Sequence, residues 1–395
     1  PIPPATPLTG VIVLDFTRYL SGPFTTMILR DLGARVVKLE SAKGDPARNA
    51  GPFQNDDSAY FHAINRGKES VVVDFRSGDE VDRLRALMAD VDCVVENFRP
   101  GVMQAMGLGP EACFAINPKL VFASCSGFGG DGPYSTHPAF DVVVQAMGGV
   151  MSVTGQPDSP PTRVGVSQGD MVAGVYTSLG ILSALFRREQ TGLGALVDCS
   201  MLEAQLSLMT HAIGIKVANG EDPLRIGSRH PALAPFDVFP TSDGYVAIAV
   251  PNEGGFEALC GVLGLDSLPS DPMAANNAAR LANISVLTEM LSARTAQMSS
   301  SRLVELLRDA SVPVGPVLSP SDLLADPHIS HRQSLGKIDD WGDDGLVVPG
   351  QPFRLDGERL MVEERGPKLG EMSLGELEAD LNGNATGSAD QGSHG

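Results

Sequence analysis

The sequence predicts an α/β protein built on a parallel, doubly wound sheet. Short apolar runs recur through the first 130 residues, helical stretches separate them, and glycine or proline marks several of the junctions. Residues 11–16 (VIVLDF) read as the first strand. Pro23 opens a helical stretch, FTTMILRDLG, which Gly33 is placed to end. Residues 35–40 (RVVKLE) follow as the second strand. The pattern returns at 70–75 (SVVVDF), 92–96 (DCVVE) and 120–124 (LVFAS), with a helix over 80–89. Ligands of such sheets bind beyond the carboxyl ends of the strands. Here those ends are residues 17–22, 41–48, 74–76 and 97–101.

After Gly127 the texture changes. Glycine and proline crowd 127–133 and 155–161, and a long apolar segment starts at Met171. Residues 244–250 (GYVAIAV) read as a strand. Residues 295–310 read as an amphipathic helix, with Leu303, Leu306 and Leu307 at helical spacing. These elements define a smaller second domain over 225–325. The tail from Asn382 is rich in Gly, Ser, Asn and Asp and is expected to be disordered.

Composition narrows the function classes. The chain has 395 residues, and 43% hydrophobic content is enough for a sizeable core. Lysine and arginine number 29 against 48 aspartates and glutamates, a net charge of −19. Such a chain repels phosphate backbones and anionic membrane surfaces, so neither nucleic acid nor membrane is expected as a partner. The first 110 residues hold 12 basic against 14 acidic side chains, and are where an anionic ligand should bind. Five dispersed cysteines with no C-x-x-C pair speak against a disulfide framework or zinc ribbon and for a reducing cytoplasm. The first residues resemble no signal peptide, and the apolar run 171–186 is too short to cross a bilayer comfortably.

The most informative segment is Gly165-Val166-Ser167-Gln168-Gly169-Asp170, directly before an apolar helix. An aspartate there is an ordinary helix cap. The same position serves chemistry, because the helix-end potential and free N–H groups would hold the carboxylate ionised and able to attack an activated carbonyl. No G-x-G-x-x-G follows the first strand and no G-x-x-x-x-G-K-[ST] occurs, which weighs against dinucleotide dehydrogenases and P-loop ATPases. Arg18, Arg48, Arg66, Lys68, Arg76 and Arg99 lie near predicted strand ends or in the loops that follow. They are either solvated surface charge or, in part, a bracket for a polyphosphate. Seven scattered histidines form no metal motif, and no metal is expected. Cys125 and Cys199 read as core residues, since neither has an obvious local base.

These residues, taken in order, resemble the family III CoA-transferases, the group of formyl-CoA, carnitine and bile-acid CoA-transferases that also holds α-methylacyl-CoA racemase. The matching stretches include PLTGVIVLDFTRYLSGP, LGARVVKLE, NRGKESVVVDF, VENFRPG, ASCSGFGGDGPY, PAFDVVVQAMGG, VGVSQGDMVAGVY and HPALAPFDVFPTSDG, from Pro7 to about residue 372. The resemblance implies an interlocked homodimer with a Rossmann-like large domain built from both chain ends. The chain then divides into 1–200 (large CoA-binding domain), 201–224 (linker helix), 225–325 (small α+β domain), 326–380 (return to the large domain) and 381–395 (disordered tail).

The resemblance makes Asp170 the nucleophile that carries CoA as an aspartyl-CoA thioester between an acyl-CoA, succinyl-CoA among the candidates, and a small carboxylic or dicarboxylic acid. No cofactor is held permanently; the CoA thioester is a substrate. Arg18, Tyr19, Leu20 and Ser21 match the stretch around the CoA thiol end. Val73, Asp74 and Arg76 match the adenine and phosphate stretch, and Asn97, Phe98 and Arg99 the pantetheine and diphosphate segment. Phe140 and Asp141 match positions flanking the carboxylate, and Arg229 and His230 the acceptor side. With Ser41 where formyl-CoA transferase has an arginine, Arg48 or Arg76 is left as the phosphate ligand. Leu20 stands where the family has a glutamine. The glycine-rich lid of formyl-CoA transferase is missing, which speaks against oxalate as acceptor. The family's racemases need a histidine where this chain has Phe140, so epimerisation is the weaker alternative. A catalytically silent CoA-binding protein is the second.

Overall fold

The computed structural model describes residues 6–342 and 345–389. Six strands form one parallel sheet: β1 (Ile12–Asp15), β2 (Arg35–Glu40), β3 (Glu69–Val72), β4 (Cys93–Glu96), β5 (Val121–Ser126) and β6 (Ala195–Ser200). Their order across the sheet is β3-β2-β1-β4-β5-β6, that of dinucleotide-binding folds. The chain reverses its direction of travel between β1 and β4, so a crevice opens beyond the carboxyl ends of those two strands. The first five strands fall where the apolar runs lie. β6 was not foreseen. It reads ALVDCS, an edge strand in which polar side chains break the apolar run that marks its neighbours.

Both faces of the sheet are covered. Leu14, Phe16, Val37, Leu39, Val71, Val73 and Phe122 pack on one side with Leu84 and Leu87 of the helix Gly78–Leu87. Val13, Val36, Cys93, Val95 and Ala123 pack on the other with α1 (Ser21–Asp31) and with α3 (Gln168–Thr191), which is taken up below. The C-terminal segment returns to this unit. Met372 bridges to Val71 beside β3, and Leu374, Leu377 and Leu381 enter the core from a helix spanning Leu374–Ala389. That helix runs on through residues 381–389, where a disordered tail was expected. Residues 390–395 lie outside the described residues.

The apolar segment from Met171 is part of the 24-residue α3, which by length and composition alone could cross a membrane. In this fold its small residues Gly174 and Ser178 pack closely on α1, where Thr25 donates to the Gly174 carbonyl at 3.2 Å and Ser178 to the Thr25 carbonyl at 3.3 Å. The expected linker helix over 201–224 is two helices, Met201–Leu208 and Thr210–Asn219.

Two compact units result: residues 1–150, 163–214 and 328–395, and residues 151–162 with 215–327. The second unit therefore includes an early segment, 151–162, and begins its main stretch ten residues before the expected 225. It holds an antiparallel sheet of β7 (Phe236–Pro240), β8 (Tyr245–Ala249) and β9 (Val314–Pro316), with β8 central. Phe239, Val246, Ile248, Phe256, Leu287, Leu303 and Leu307 form its core. Of the stretch 295–310, the helical part is Ser300–Asp309, capped by the Ser299 hydroxyl.

Candidate active site

The loop after β1 is fixed from below by buried charge. Asp15 accepts from the Thr17 N–H (2.8 Å), the Thr26 hydroxyl (2.7 Å) and the Lys68 ammonium (3.0 Å). Lys38 donates to the Thr17 carbonyl (2.7 Å) and pairs with Asp45 (2.9 Å), whose other oxygen accepts the Tyr19 N–H (3.1 Å). The two lysines outweigh burial and hold Asp15 down at about 2. Fixed at that point, Tyr19 adopts a left-handed backbone, φ 65°. Across the crevice, Arg18 and Asn97 exchange hydrogen bonds of 2.8 and 2.7 Å, and the Arg18 guanidinium lies 4.7 Å from the centre of the Phe98 ring. A β-carbon on Gly22 would come within 2.4 Å of Thr17 and 3.1 Å of the Asn97 amide carbon, so α1 can begin here only with glycine.

Asp170 lies in the first turn of α3 and faces the start of α1. Leu20, at the N-cap of α1, offers no capping side chain. Instead Ser21 donates both its N–H and its hydroxyl to the Asp170 carboxylate. The preceding residue, Gly169, donates its N–H to Asp141 at 2.7 Å. Asp141 opens α2 (Asp141–Met147), and its other oxygen accepts from Gln145 (2.7 Å) and Arg163 (3.3 Å). A β-carbon on Gly169 would meet Val144 at 2.7 Å. Burial, followed by the nearby Asp141 charge, pushes Asp170 up to about 7 despite the Ser21 bonds. Helix-end potential alone would have kept it fully ionised, as the sequence suggested; here desolvation wins.

A cavity of about 250 Å³ exposes Asp170, lined by Arg18, Tyr19, Ser21, Asn97, Phe98, Arg99 and Phe140 among others. Tyr19 and Phe140 meet edge-on at its rim, 5.8 Å between ring centres. A second cavity of about 390 Å³ lies beyond β1–β4, lined by Phe16, Leu39, Ser41, Gly44, Phe75 and Met106. Arg18, Phe98 and Arg99 belong to both walls. The arrangement is a largely buried carboxylate at one end of a crevice, with exposed guanidinium groups midway. It suits a long anionic ligand whose reactive end reaches Asp170.

Most of the expected residues thus come together, but several do not. Val73 is fully buried in the sheet core, and Asp74 and Arg76 close a turn in which the Arg76 N–H bonds Asp74 (3.0 Å); from that stretch Phe75 lines the cavity instead. The Leu20 side chain lines neither cavity, and Asp141 supports the site from behind. Arg48 is committed to Glu40 (2.9 and 2.6 Å) and roofed by Phe61 at 3.8 Å, so it serves the fold rather than a phosphate. Arg66 is likewise held by Asp31 (3.0 Å) and Lys68 by Asp15. In the second unit, Arg229 donates to the Ile226 carbonyl (3.1 Å), and the His230 imidazole accepts the Ala232 N–H (3.1 Å) and lies 5.1 Å from Phe236.

Some site residues carried no sequence signal. Arg163 and Gln145 hold Asp141, and burial, followed by the nearby Asp170 charge, pushes the Tyr60 phenol up. Cys125 and His137 line the Asp170 cavity. In the glycine-rich segment after β5, the N–H groups of Gly129 and Gly130 bond Ser126 and Asp198, both at 2.9 Å.

Residues 8–373 match the model of CoA-transferase family III. The chain is 42% identical to an acetyl-CoA:oxalate CoA-transferase of Acetobacter aceti, covering 94% of this chain and 95% of that one. It is 38% identical to a succinyl-CoA:mesaconate CoA-transferase of Haloarcula hispanica, over 92% and 94% of the two chains. A crystal structure of a CAIB/BAIF family protein from Brucella suis superposes with a TM-score of 0.86 at 37% identity, covering 95% of this chain and 100% of that one. With the Asp170 crevice at its switch point and a match running through nearly all of its length, the chain belongs to CoA-transferase family III.

Proposed function

We propose that this protein moves CoA from an acyl-CoA thioester to a small carboxylic or dicarboxylic acid, with Asp170 as the carrier. The observation that carries the reading is a carboxylate near neutral acidity, held by two donors of Ser21, at the end of a crevice lined by arginines. The ionised carboxylate attacks the acyl-CoA carbonyl, forming a mixed anhydride and releasing the CoA thiolate. The thiolate then attacks the aspartyl carbonyl, expelling the donor acid and leaving aspartyl-CoA. The acceptor carboxylate attacks that thioester, again freeing the thiolate. Attack of the thiolate on the acceptor's acyl carbon yields the new acyl-CoA and restores Asp170. One thioester replaces another, so no nucleotide is consumed.

Burial suits each step. A desolvated carboxylate is a better nucleophile than one in water, and an anhydride survives only where water is kept out. When Asp170 is acylated, the Ser21 N–H is placed to hold its carbonyl oxygen as charge develops there.

Relatives named for oxalate, glutarate and mesaconate support a short acid as acceptor. The missing glycine-rich lid no longer argues against oxalate, since the relative at 42% identity is named for it. Arg229 and His230 remain our choice for a second acceptor carboxylate. Epimerisation is disfavoured, because Phe140 cannot take a proton at the rim where a second base is needed. The interlocked homodimer is retained. Val175, Leu179 and Phe186 leave an apolar stripe of α3 exposed, as a face covered by a second copy would. Five free cysteines suit a reducing cytoplasm.

The test is to incubate the protein with acyl-CoA alone, trap with hydroxylamine or borohydride, and map the modified residue by mass spectrometry. Modification at Asp170, absent from Asp170→Asn, is expected. Labelling elsewhere, or CoA binding with no exchange of label into free acid, would leave a silent CoA-binding protein.

A further inference from the structure

The transfer chemistry leaves a pair of thiols unused behind the nucleophile. Cys125 on β5 and Cys199 on β6 are register partners on adjacent parallel strands, so their side chains leave the sheet on one face. Adjacent strands lie about 4.8 Å apart, inside the roughly 4.4–6.8 Å span between Cα atoms that a disulfide accepts. Both thiols are free, bond each other, and share the Thr177 hydroxyl on α3. The Cys199 sulfur lies 3.6 Å from the Ala173 carbonyl, one turn beyond Asp170. Cys125 lines the Asp170 cavity and bonds Ser21, the residue that holds the Asp170 carboxylate. The pair is therefore joined to the reacting group through one hydroxyl.

The two sulfurs are unequal. Cys125 is fully buried, and the neighbouring Cys199 together with burial raises it well above the ordinary thiol range. Cys199 is half-buried, and the bond it accepts from Cys125 outweighs burial and brings it down to about 7. A thiol of that acidity is substantially thiolate at neutral pH and is the better attacking group.

We propose that Cys125 and Cys199 are a redox-active dithiol, which a low-molecular-weight disulfide oxidises to an intramolecular bond, and that this closure shuts the Asp170 site. The Cys199 thiolate attacks one sulfur of the small disulfide, forming a mixed disulfide and expelling one thiolate. That thiolate takes the Cys125 proton. The Cys125 sulfur then attacks Cys199 and expels the second thiolate, which is protonated from water. The protein loses two electrons and the small disulfide gains them as two thiols. Closure draws the Cys125 sulfur, part of the Asp170 cavity wall, toward Cys199 and disturbs its contact with Ser21, so Ser21 no longer presents its hydroxyl to Asp170 as before.

Only the activity readout of this proposal rests on the transferase reading. The full chain is exposed to glutathione disulfide at neutral pH, free thiols are alkylated, and peptides are mapped. The expected result is a Cys125–Cys199 linked pair, with CoA transfer reduced about tenfold or more and restored by dithiothreitol. Cys199→Ser keeps the untreated rate and ignores glutathione disulfide. The peptide map needs no acyl-CoA, so a chain that forms the bond but moves no CoA fails as a transferase and keeps the dithiol. Both thiols staying alkylatable, an unchanged rate once the bond is formed, or equal inhibition of Cys199→Ser overturns the proposal.

Discussion

Ser21 reaches Asp170 with two donors from one residue, its N–H and its hydroxyl, across 149 positions of sequence. The two side chains meet because the N-terminal turns of α1 and α3 abut, and each donor favours the ionised carboxylate. Ser21→Ala keeps the N–H and removes the hydroxyl. A hydrogen bond to a charged group contributes about 1.5–3 kcal/mol, so the Asp170 midpoint should rise from about 7 by about one unit or more. Because the ionised form reacts, the acid limb of kcat/KM moves to higher pH. Activity near pH 7 then falls several-fold and returns in alkaline buffer. A uniform loss at every pH would deny Ser21 this role.

Asp141 works in the opposite direction. Its charge is the second cause, after burial, of the raised Asp170 pKa. Asp141→Asn keeps an oxygen for the Gly169 N–H, now held at 2.7 Å, while removing the charge. The acid limb should therefore shift below 7, toward the ordinary carboxylate range, and the pH profile of kcat/KM reads it directly. The same substitution weakens the contacts with Arg163 and Gln145, so melting should come slightly earlier.

What was legible in the sequence follows from which forces act locally. Strands buried on both faces carry runs of β-branched apolar residues, so the Val36–Val37 pair of RVVKLE and its counterparts announce themselves, while the half-exposed edge strand Ala195–Ser200, interrupted by Asp198, does not. The turn at Ser21–Gly22–Pro23 and the aspartate at the start of α3 are visible as sequence. Their meeting is not, since it depends on small residues of two distant helices packing together. Helix-end potential is likewise a local property that the sequence revealed, whereas the burial and the Asp141 charge that override it exist only in the folded chain. The arginines show the same division: type and position suggest phosphate binding, but only partners distinguish Arg48, spent on Glu40, from Arg99, exposed on the walls of both cavities.

That distinction predicts two kinds of failure. Arg99→Met should raise KM for acyl-CoA about tenfold, weaken its salt dependence and leave the melting temperature unchanged, because no carboxylate among the described residues pairs with Arg99. Arg48→Met leaves Glu40, nearly buried, without its bidentate partner. Losing one member of a fully buried pair costs about 3–5 kcal/mol, and the partial exposure of Arg48 brings the expected loss to about 2–3 kcal/mol. Denaturant midpoints and KM values measured on both variants should separate cleanly. If Arg48→Met raises KM and spares stability, the assignment of the two arginines is reversed.

The exposed stripe of α3 yields the remaining prediction. Val175, Leu179 and Phe186 follow helical spacing, and Phe186 is 70% exposed, unlike the Ile181 and Leu185 that face the core. Water-facing residues of that size along one helix face are unfavourable unless another surface covers them. Leu179→Glu combined with Phe186→Glu places two carboxylates on that stripe while leaving the face against α1 untouched. Light scattering on the purified variant should then report a single-chain mass, against a two-chain mass for the parent. A variant that keeps the two-chain mass would remove this stripe from the interface, and a parent of single-chain mass would remove the homodimer altogether.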